Sequence, residues 1–529
     1  MSESGVRQGS SLGGFYFCLL IHPTLQELRR KFPGINVYAY MDDVTLTSKD
    51  PALLAKAYAW LQGEFEGLGL KFNPKKCEWF GGLSKLQIPQ ALSSVGVIES
   101  VGCIKVLGAY IGFSGDVIAK LSAKLDKHSV FFSRLRLARP DTRTFAIFSK
   151  GALPRHNYHM RVHTPSTSDA LTLEFDAMCT SLLTEWFDLV EDDTVGWAFI
   201  RLPISQGCGV PLTHPQREAA YADSRFAGLQ SSEQHKPTGN PPVSQSVAAA
   251  LFNRHASLAI VKDNPALARH LEQTSMRNAG NWLTATTHKM NSAAYVYAWR
   301  LRCLAQSSKL PPLAQCVACP RLGPLEQVGF MRHTHGCAAL PTGDNSNTKH
   351  NACVLAIFNL GKSAGVKSEL EPRDFQNYKC TKCGMESSSK ESAARHGLLC
   401  GVKPLRSGPD IKFVFSATEQ CVYDYTTLHA VCASLLSTKT VTAAKSVKAE
   451  KFDRYVASGM IPEKEFKVLM AYSLGGFCPD TYELLGRLAA ANGRTTQSVV
   501  DEIGVIMQSA NGSAIAGAHR ASMSSGRHY

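Results

Sequence analysis

The stretch Val37-Tyr-Ala-Tyr-Met-Asp42-Asp43-Val-Thr-Leu-Thr47 decides how the amino end of this chain folds. Aromatic and β-branched residues lie on both sides of two adjacent aspartates, which predicts a β-hairpin with the acids at its tip. Two neighbouring carboxylates repel each other unless water solvates them or a cation lies between them. Mg²⁺ prefers a few carboxylates together with phosphate oxygens, so Asp42 and Asp43 are candidate metal ligands. For an arbitrary Asp-Asp pair a solvated turn is the commoner outcome, so the surrounding sequence has to decide.

Further segments surround this hairpin in a fixed order. They are Gly5-Val-Arg7-Gln8-Gly9 before it, Asn73-Pro-Lys75-Lys76 after it, and finally Ile104-Lys-Val-Leu107-Gly108. In this order and spacing, and with Tyr40-Met-Asp42-Asp43 between them, these segments resemble the palm of a reverse transcriptase. The segment from Gly5 matches motif B, the one from Tyr40 motif C, the one from Asn73 motif D, and Leu107-Gly108 the primer grip. No single segment is specific, whereas the ordered set within about 110 residues is.

The resemblance implies an RNA-directed DNA polymerase in which Asp42 and Asp43 hold Mg²⁺ (or Mn²⁺) for two-metal nucleotidyl transfer. It implies that Gln8 and Gly9 lie against the template and the incoming nucleotide, with Lys75 or Lys76 near its phosphates. The full set of residues that the resemblance assigns to nucleic-acid binding in this region is Arg7, Gln8, Gly9, Tyr40, Lys75, Lys76, Leu107 and Gly108.

The chain also departs from that family. The family's first catalytic carboxylate and its template-binding fingers lie well before motif B, and here only four residues precede Gly5. We therefore expect an amino-terminally truncated polymerase that is poor or inactive as an isolated chain. The sequence leaves open whether the truncation is biological or comes from the gene model.

Two clusters of cysteine and histidine have the spacing of zinc ligands. Cys380-x2-Cys383-x12-His396-x3-Cys400 is the more specific, because it puts a thiolate pair on a turn and the second pair one helical turn apart. Its small core is thin, since Ser387 and Ala393 stand where such fingers usually have larger side chains. The second cluster is Cys316-x2-Cys319-x13-His333-x3-Cys337, in which His335 is a rival to His333 and reduced loop cysteines are the alternative.

A second acid pair lies near the carboxyl end. Asp410 begins one predicted strand and Asp424 lies within the next, with thirteen residues between them, so antiparallel pairing would bring both carboxylates to one Mg²⁺ or Mn²⁺. A predicted helix beyond them places Lys448, Lys451 and Tyr455 on one face, where they could clamp a scissile phosphate. By itself this pattern is weak evidence for catalysis.

This Pro-Asp, Asp, Lys-x3-Tyr order resembles the restriction-like endonuclease of site-specific non-LTR retrotransposons. The usual restriction fold has a lysine two residues after the second acid; Thr426 stands there, so the resemblance implies that Lys451 substitutes from the helix. In such elements a Cys-Cys-His-Cys knuckle is followed by a basic-His-acid/amide triplet similar to Lys349-His350-Asn351. His350 alone is more often a structural histidine, so the prediction leaves it out of the site. The sequence from Gly5 to Phe17 resembles the SLACS/CRE/CZAR elements of trypanosomatids in particular.

Composition sets the limits of these interpretations. The chain has 529 residues, a net charge of +14 and 44% apolar residues, which excludes wholesale disorder and favours a polyanionic partner. Its longest apolar run, from Phe15 to Ile21, is far short of the ~20 residues of a membrane span. Sixteen cysteines without a signal-peptide layout indicate reduced thiols or metal ligands.

The predicted fold class is therefore α+β multidomain: a partial reverse-transcriptase palm and helical thumb, small zinc-binding modules and a restriction-like α/β endonuclease. The expected bounds are palm 1–115 (motifs B to E), thumb and linker 116–310, zinc-binding region 311–400, endonuclease 401–515 and disordered tail 516–529. A helix from Pro51, capped by Asp50, should end at Gly67. The basic aromatic stretch at Tyr295–Arg302 either packs in a helix or stacks on nucleic acid, and packing is the commoner outcome.

Two hypotheses remain from the sequence. The first is a retrotransposon enzyme of target-primed reverse transcription, with an impaired polymerase, a DNA nickase, an RNA template and a DNA target, acting in the nucleus. The second is a non-catalytic, zinc-dependent nucleic-acid-binding relic of a mobile element. The target sequence, the bound RNA and the oligomeric state do not follow from the sequence.

Overall fold

The computed structural model describes residues 11–82, 84–230, 245–319, 323–337, 346–402, 405–428 and 440–524. Arg7, Gln8 and Gly9 lie outside these residues, as do residues 231–244 of the predicted thumb and linker region. The described parts form two compact units: one from Met1–His128, Asn157–Phe175 and Arg217–Pro242, the other from Ser129–His156, Asp176–Gln216 and Val243–Tyr529. Within them, no helix has both the length and the apolar character needed to cross a membrane.

The amino-terminal part of the first unit consists of helices and three two-stranded sheets. β1 pairs with β2 and β5 with β6 in antiparallel fashion, whereas β3 pairs with β4 in parallel. The elements are α1 (Gly13–Lys31), β1 (Asn36–Tyr40), β2 (Asp43–Thr47), α2 (Pro51–Gly67), β3 (Glu78–Trp79), α3 (Gln90–Ser93), β4 (Ile98–Glu99), β5 (Cys103–Val106) and β6 (Ala109–Gly112).

Helix α2 begins and ends where the sequence predicts. The side chain of Asp50 accepts hydrogen bonds from the backbone N–H groups of Ala52 and Leu53, and Pro51 occupies the first helical position. The buried face of α2 packs in one cluster with α1 and with the β1–β2 hairpin, through Ala57, Leu61, Phe65, Ile21, Leu25, Leu28 and Val37. This packing supports the hairpin that carries Asp42 and Asp43.

The following region is helical, as predicted. Its helices are α4 (Ser114–Arg136), α5 (Thr142–Ile147), α6 (Asn157–Val162), α7 (Pro165–Phe187), α8 (Thr194–Arg201), α9 (Arg217–Gln230), α10 (Gln245–Val261), α11 (Pro265–Thr274) and α12 (Ser292–Cys303). The basic aromatic stretch lies in α12, where Tyr295, Trp299, Arg300 and Arg302 are all buried. This stretch packs inside the protein, so the idea that it stacks on nucleic acid is wrong.

Arg302 is the most connected of these buried side chains. The residue is 1% exposed, and its guanidinium donates to five backbone carbonyls. The acceptors are Gly207 (2.8 Å), Ile204 (2.9 Å), Ala279 (3.0 Å), Thr274 (3.2 Å) and Leu474 (3.2 Å). Burial lowers the pKa of Arg302 to about 10, so the side chain stays charged at neutral pH and ties three distant segments together.

The carboxyl-terminal part alternates strands and helices. Its elements are β7 (Leu313–Ala314), β8 (Leu325–Glu326), α13 (Gln327–Gly336), α14 (Ser346–Ser363), β9 (Lys367–Leu370), β10 (Asn377–Lys379), β11 (Glu386–Ser387), α15 (Lys390–Cys400), β12 (Leu405–Ser407), β13 (Ile411–Val414), β14 (Gln420–Leu428), α16 (Thr440–Phe452), β15 (Phe466–Tyr472), α17 (Pro479–Ala491) and α18 (Thr496–Ser524).

Four of these strands form a mixed sheet in the order β15-β14-β13-β9. β13 is antiparallel to both of its neighbours, and β14 is parallel to β15, with α16 in the connection between them. Apolar residues of α14, α17 and α18 cover one face of the sheet. Residues of α16 and of the turn that follows it cover the other face.

Two predicted boundaries differ from this architecture. The sheet takes β9 and α14 from the region 311–400 that the sequence assigns to zinc binding, and strands β10 to β12 with α15 are inserted between β9 and β13. The last helix runs to Ser524, so 516–524 are helical instead of disordered, because α18 packs on α12, α14 and α17. Residues 525–529 lie outside the described part.

Candidate functional site

Asp410 and Asp424 lie opposite each other at one end of the four-stranded sheet. β13 pairs Ile411 with Tyr423, so Asp410, the residue before β13, stands across from Asp424. The backbone N–H of Asp410 donates to the carbonyl of Tyr423 at 2.9 Å and extends this ladder. The structure therefore brings together the two acids that the sequence analysis singled out.

Asp424 is a buried carboxylate with one cationic neighbour. It is 3% exposed, and Nζ of Lys451, near the end of α16, lies 2.7 Å from its Oδ2. Burial raises the pKa of Asp424, the Lys451 ammonium opposes that rise, and the nearby Asp410 carboxylate adds to it, giving a pKa of about 7. Two acids held this close, with one of them buried, form a site that a divalent cation would stabilise.

Asp410 is held by two donors on one oxygen. The backbone N–H of Tyr425 donates to Asp410 Oδ2 at 2.6 Å, and His350 Nε2 lies 3.2 Å from the same oxygen. His350 Nε2 is also 3.1 Å from the Tyr425 carbonyl, while its Nδ1 is 3.1 Å from Asn351 Oδ1. Burial alone would lower the pKa of His350, but the hydrogen bond to Asp410 and its negative charge raise that pKa to about 9.

His350 is thus the residue that the sequence analysis set aside and the structure places in the site. The signal was present in the triplet Lys349-His350-Asn351. The contact between His350 and Asp410 could not be predicted from spacing, because the edge strand β9 and the inserted strands separate α14 from Asp410 along the chain.

Two other predicted residues have further partners. Lys448 forms an ion pair with Asp480 at 2.7 Å, away from Asp424. Tyr455 is 2% exposed and packs on Phe466. Burial raises the pKa of its hydroxyl and the nearby charges of Asp424 and Asp410 add to that rise, so Tyr455 lies beside the acid pair but is shielded from solvent. Lys448 and Lys451 precede the π-helical turn at Asp453–Ala457, which carries Tyr455, so ordinary α-helical spacing does not extend over all three residues.

The first Cys/His cluster is assembled as predicted. The ligand atoms of Cys316, Cys319, His333 and Cys337 all lie within 4.8 Å of one another, carried by the β7–β8 region and α13. The Cys337 sulfur is 3.9 Å from that of Cys316 and 3.6 Å from that of Cys319. His333 Nε2 is buried without a hydrogen-bond partner, which suits a nitrogen ligand. The side chain of the rival, His335, lies outside the described residues.

The second cluster has the same composition on a more exposed module. His396 Nε2 lies 3.0 Å from the Cys383 sulfur and 3.1 Å from the Cys400 sulfur, and Cys380 completes a group within 4.8 Å. The backbone N–H of Cys383 lowers the pKa of the Cys380 thiol to about 6, which favours the thiolate that zinc binds. Ala393 fills the small core, as the sequence indicates. Both donor sets fit tetrahedral Zn²⁺.

In the first unit, the structure places Asp42 and Asp43 at the exposed tip of the β1–β2 hairpin. Tyr40 pairs with Asp43, and Met41 adopts a left-handed conformation (φ 52°) in the turn between them. Gly14 of α1 leaves room for the Met41 side chain, whose methyl carbon would lie 3.0 Å from a Cβ at that position. Among the described residues no further acid, histidine or cysteine joins this pair in a group of three.

The hairpin assigned to the primer grip is also present. Leu107 (φ 47°) and Gly108 (φ 88°) form the two-residue turn between β5 and β6. From α6, the Tyr158 hydroxyl donates to the Leu107 carbonyl at 2.5 Å, and a second anchor is the 3.0 Å bond from the Tyr110 N–H to His163 Nε2. Lys75 and Lys76, one of which the resemblance puts near the phosphates, are exposed in the turn Pro74–Lys76.

Comparison with known proteins agrees with the amino-terminal assignment. Residues 1–111 match the family described as reverse transcriptase (RNA-dependent DNA polymerase). Protein P of Woodchuck hepatitis B virus (isolate w64/pWS23) is 28% identical over 103 residues, which are 20% of this chain and 18% of that protein. Protein P of isolate 59 is 28% identical over 103 residues, or 12% of its length.

A retroelement protein matches over a longer range. The retrotransposable element SLACS 132 kDa protein of Trypanosoma brucei gambiense is 24% identical over 230 residues, which cover 43% of this chain and 19% of that protein. The chain spans less than a fifth of the length of each of these relatives.

Proposed function

We propose that this chain, whose amino end is a reverse transcriptase domain of the non-LTR retrotransposon kind, couples RNA-directed DNA synthesis to a metal-dependent DNA endonuclease. The reaction is target-primed reverse transcription: a nick frees a DNA 3′ end, which primes copying of the element's RNA. The partners are then an RNA template and a DNA target, and the place of action is the nucleus, where that target lies.

One observation carries the nuclease part of the proposal. Asp410 and Asp424 face each other across the sheet, with Lys451 2.7 Å from one acid and His350 3.2 Å from the other. A restriction-like nuclease needs such a pair of acids and a nearby cation. The resemblance implies catalytic roles for Asp410, Asp424 and Lys451, and the sheet topology, which sets the two acids opposite each other, supports a common site.

Each side chain has a defined task in this proposal. Asp410 and Asp424 would hold the Mg²⁺ or Mn²⁺ that activates water and polarises the phosphodiester. Lys451 offsets part of the charge of Asp424 and can stabilise the charge that develops on the phosphate. His350 and the Tyr425 N–H fix the Asp410 carboxylate, so that its position does not depend on the metal alone.

The polymerase part of the proposal rests on the β1–β2 hairpin. Asp42 and Asp43 are exposed at its tip, as residues that bind a metal and a nucleotide must be. Two-metal transfer needs a further carboxylate beside them, and the described residues bring none into a group with them. We therefore expect weak primer extension by the isolated chain.

A plasmid assay tests the nuclease. The purified full chain is incubated with supercoiled plasmid at low salt in Mg²⁺ or Mn²⁺, and nicked circles are counted. Nicking should be lost in Asp410→Ala and preserved in Asp374→Ala, since Asp374 is an exposed acid outside the site. Equal nicking by the wild type and Asp410→Ala would remove the nuclease from the proposal.

The second candidate, a non-catalytic zinc-dependent nucleic-acid-binding protein, is favoured by the two assembled Cys/His clusters and the net charge of +14. In that case the wild type and Asp410→Ala bind DNA equally, with affinity that falls steeply with salt, and neither cuts it. A filter-binding titration run beside the plasmid assay separates the two candidates.

A further inference from the structure

The second zinc cluster belongs to a module that is inserted into the four-stranded sheet. We call β10, β11, α15 and β12 (Asn377–Ser407) the finger module. Within it β10 pairs with both β11 and β12. The chain enters the module after β9 and leaves it into β13, and these two strands are neighbours in the sheet. The module therefore branches from the sheet between adjacent strands.

Both connections of the finger module meet at Asp410. The backbone N–H of Glu371, just after β9, donates to the Asp410 carbonyl at 2.7 Å. On the return path only Gly408 and Pro409 separate β12 from Asp410. Gly408 also lies so close to Gln376 that a Cβ there would be 2.4 Å from the Gln376 side chain. These contacts hold the base of the module tightly against the acid pair.

Helix α15 presents one arginine at a distinctive position. Ser389 caps the helix by accepting from the Ser392 N–H, and Lys390 is its first residue. In Cys₂His₂ zinc fingers, which share this spacing but have a second His where this module has Cys400, the residues at helix positions −1, 3 and 6 contact successive bases in the major groove. Here they are Ser389, Ser392 and Arg395, and Arg395 is exposed directly before the ligand His396.

We propose that the finger module binds duplex DNA beside the cut and that Arg395 determines sequence preference by contacting a guanine. An arginine fork pairs with both acceptors on the major-groove edge of guanine, so its chemistry matches that base. Lys390, exposed on the same module, can contact a phosphate, and Lys382 is also exposed there while its ammonium donates to the Cys400 carbonyl at 3.2 Å. This proposal rests on the proposed nuclease function, because it places the contacted bases at a fixed distance from Asp410.

Duplex DNA is the occupant that the observations favour over a protein partner. The exposed leucines Leu398 and Leu399, 85% and 86% accessible, lie near the end of α15 and would suit an apolar partner. Arg395 lies one helical turn before them, at the position from which fingers contact bases. The link through Gly408 and Pro409 to Asp410 adds a reason for DNA, since the same substrate must reach both places.

The test is a selection from duplexes that carry eight randomised base pairs, using the full chain with Zn²⁺ and without Mg²⁺, so that no cutting occurs. The wild type should enrich a guanine at one position of a short motif, because one finger covers about three base pairs. Arg395→Ala should lose that guanine and bind the best duplex about 10-fold more weakly. Arg395→Lys keeps the charge and should not restore the preference, because it lacks the planar fork.

Controls separate this proposal from the nuclease. Arg139→Ala removes an exposed arginine outside the finger module and should keep the preference. Asp410→Ala should stop nicking and keep the preference, whereas Arg139→Ala should keep both. Zinc content, measured by a colorimetric chelator, should equal the wild type in both Arg395 variants.

An unchanged motif in Arg395→Ala would overturn the assignment, even if Asp410→Ala abolishes nicking. A motif lost in the double variant Leu398→Ser, Leu399→Ser, but kept in Arg395→Ala, would also overturn it, because the leucine pair would then make the contact.

Discussion

The ammonium of Lys451, near the end of α16, lies 2.7 Å from Oδ2 of the buried Asp424. Lys448, three residues earlier, instead pairs with Asp480. Two lysines of one helix thus have different partners, although both belong to the same basic segment of the sequence. This difference makes them a matched pair for mutation.

We expect Lys451→Ala to lower nicking about 100-fold, because it removes the cation beside the acid pair. Lys448→Ala should change nicking by only a few fold, since its partner Asp480 lies outside the site. Nicking rates on supercoiled plasmid measure both effects, and circular dichroism checks that both variants are folded. Similar losses in the two variants would contradict the assignment of Lys451.

The His350–Asp410 contact predicts a pH dependence of stability. The pKa of His350 is about 9 in the folded chain and 6.5 for an ordinary histidine, so the folded state binds more protons between these values. This stabilisation is fully present below pH 6.5 and is lost as pH rises through 9.

Between pH 7.5 and 9, the free energy of unfolding, measured by urea in Mg²⁺-free buffer, should therefore fall by about 2 kcal/mol more in the wild type than in His350→Gln. The window from pH 7.5 to 9 isolates this effect, because the pKa of Asp424 is about 7. His22→Gln, at an exposed histidine of α1, serves as the control and should follow the wild type. Parallel curves for the wild type and His350→Gln would refute the contact.

The two zinc clusters should differ in what they stabilise. Cys337 is buried in a core with Phe330 and Ala518 of the last helix, whereas Cys383 is exposed on the finger module. Cys337→Ser should lower the free energy of unfolding by about 5 kcal/mol, and Cys383→Ser by much less.

Both variants should lose one of two zinc ions per chain, as measured by elemental analysis. Equal melting temperatures in the two variants would mean that the buried cluster does not hold the core together. Retention of two zinc ions by either variant would exclude that cysteine as a ligand.

Leu107 provides a test in the first unit. A non-glycine residue in the left-handed region costs about 1–2 kcal/mol, and asparagine tolerates it better. Leu107→Asn should therefore slow hydrogen exchange in the peptide 103–112 and stabilise the hairpin by about 1 kcal/mol. Leu68→Asn, at φ −86° and also exposed, should give no such protection. Faster exchange in Leu107→Asn would contradict the strain at this turn.

The parts of the structure that local pattern decides could be predicted from the sequence. The β1–β2 hairpin, the bounds of α2 and the two Cys/His clusters follow from alternation, capping and ligand spacing. The approach of Asp410 to Asp424 follows as well, because consecutive antiparallel strands bring residues at a known offset together.

Other parts depend on contacts between distant segments and could not be predicted. His350 reaches Asp410 because α14 and β9 join the sheet, and no spacing in the sequence reports that pairing. The sequence favours packing of the stretch that ends at Arg302, but only the carbonyls around the guanidinium explain how its charge is buried. Residues 516–524 are mostly small, and they are helical because α18 has neighbours on several sides.

The five carbonyls around Arg302 also limit how this protein can exchange parts with relatives. They come from Ile204–Gly207, Thr274–Ala279 and Leu474, which flank the stretch that holds both zinc clusters and most of the sheet. In a chimera joined between these segments, some of the carbonyls would come from the foreign protein. The foreign backbone would then have to place them within hydrogen-bonding distance of the Arg302 guanidinium. Functional chimeras of this protein should therefore have their junctions before Ile204 or after Leu474, so that Arg302 and its five carbonyls are inherited as one piece.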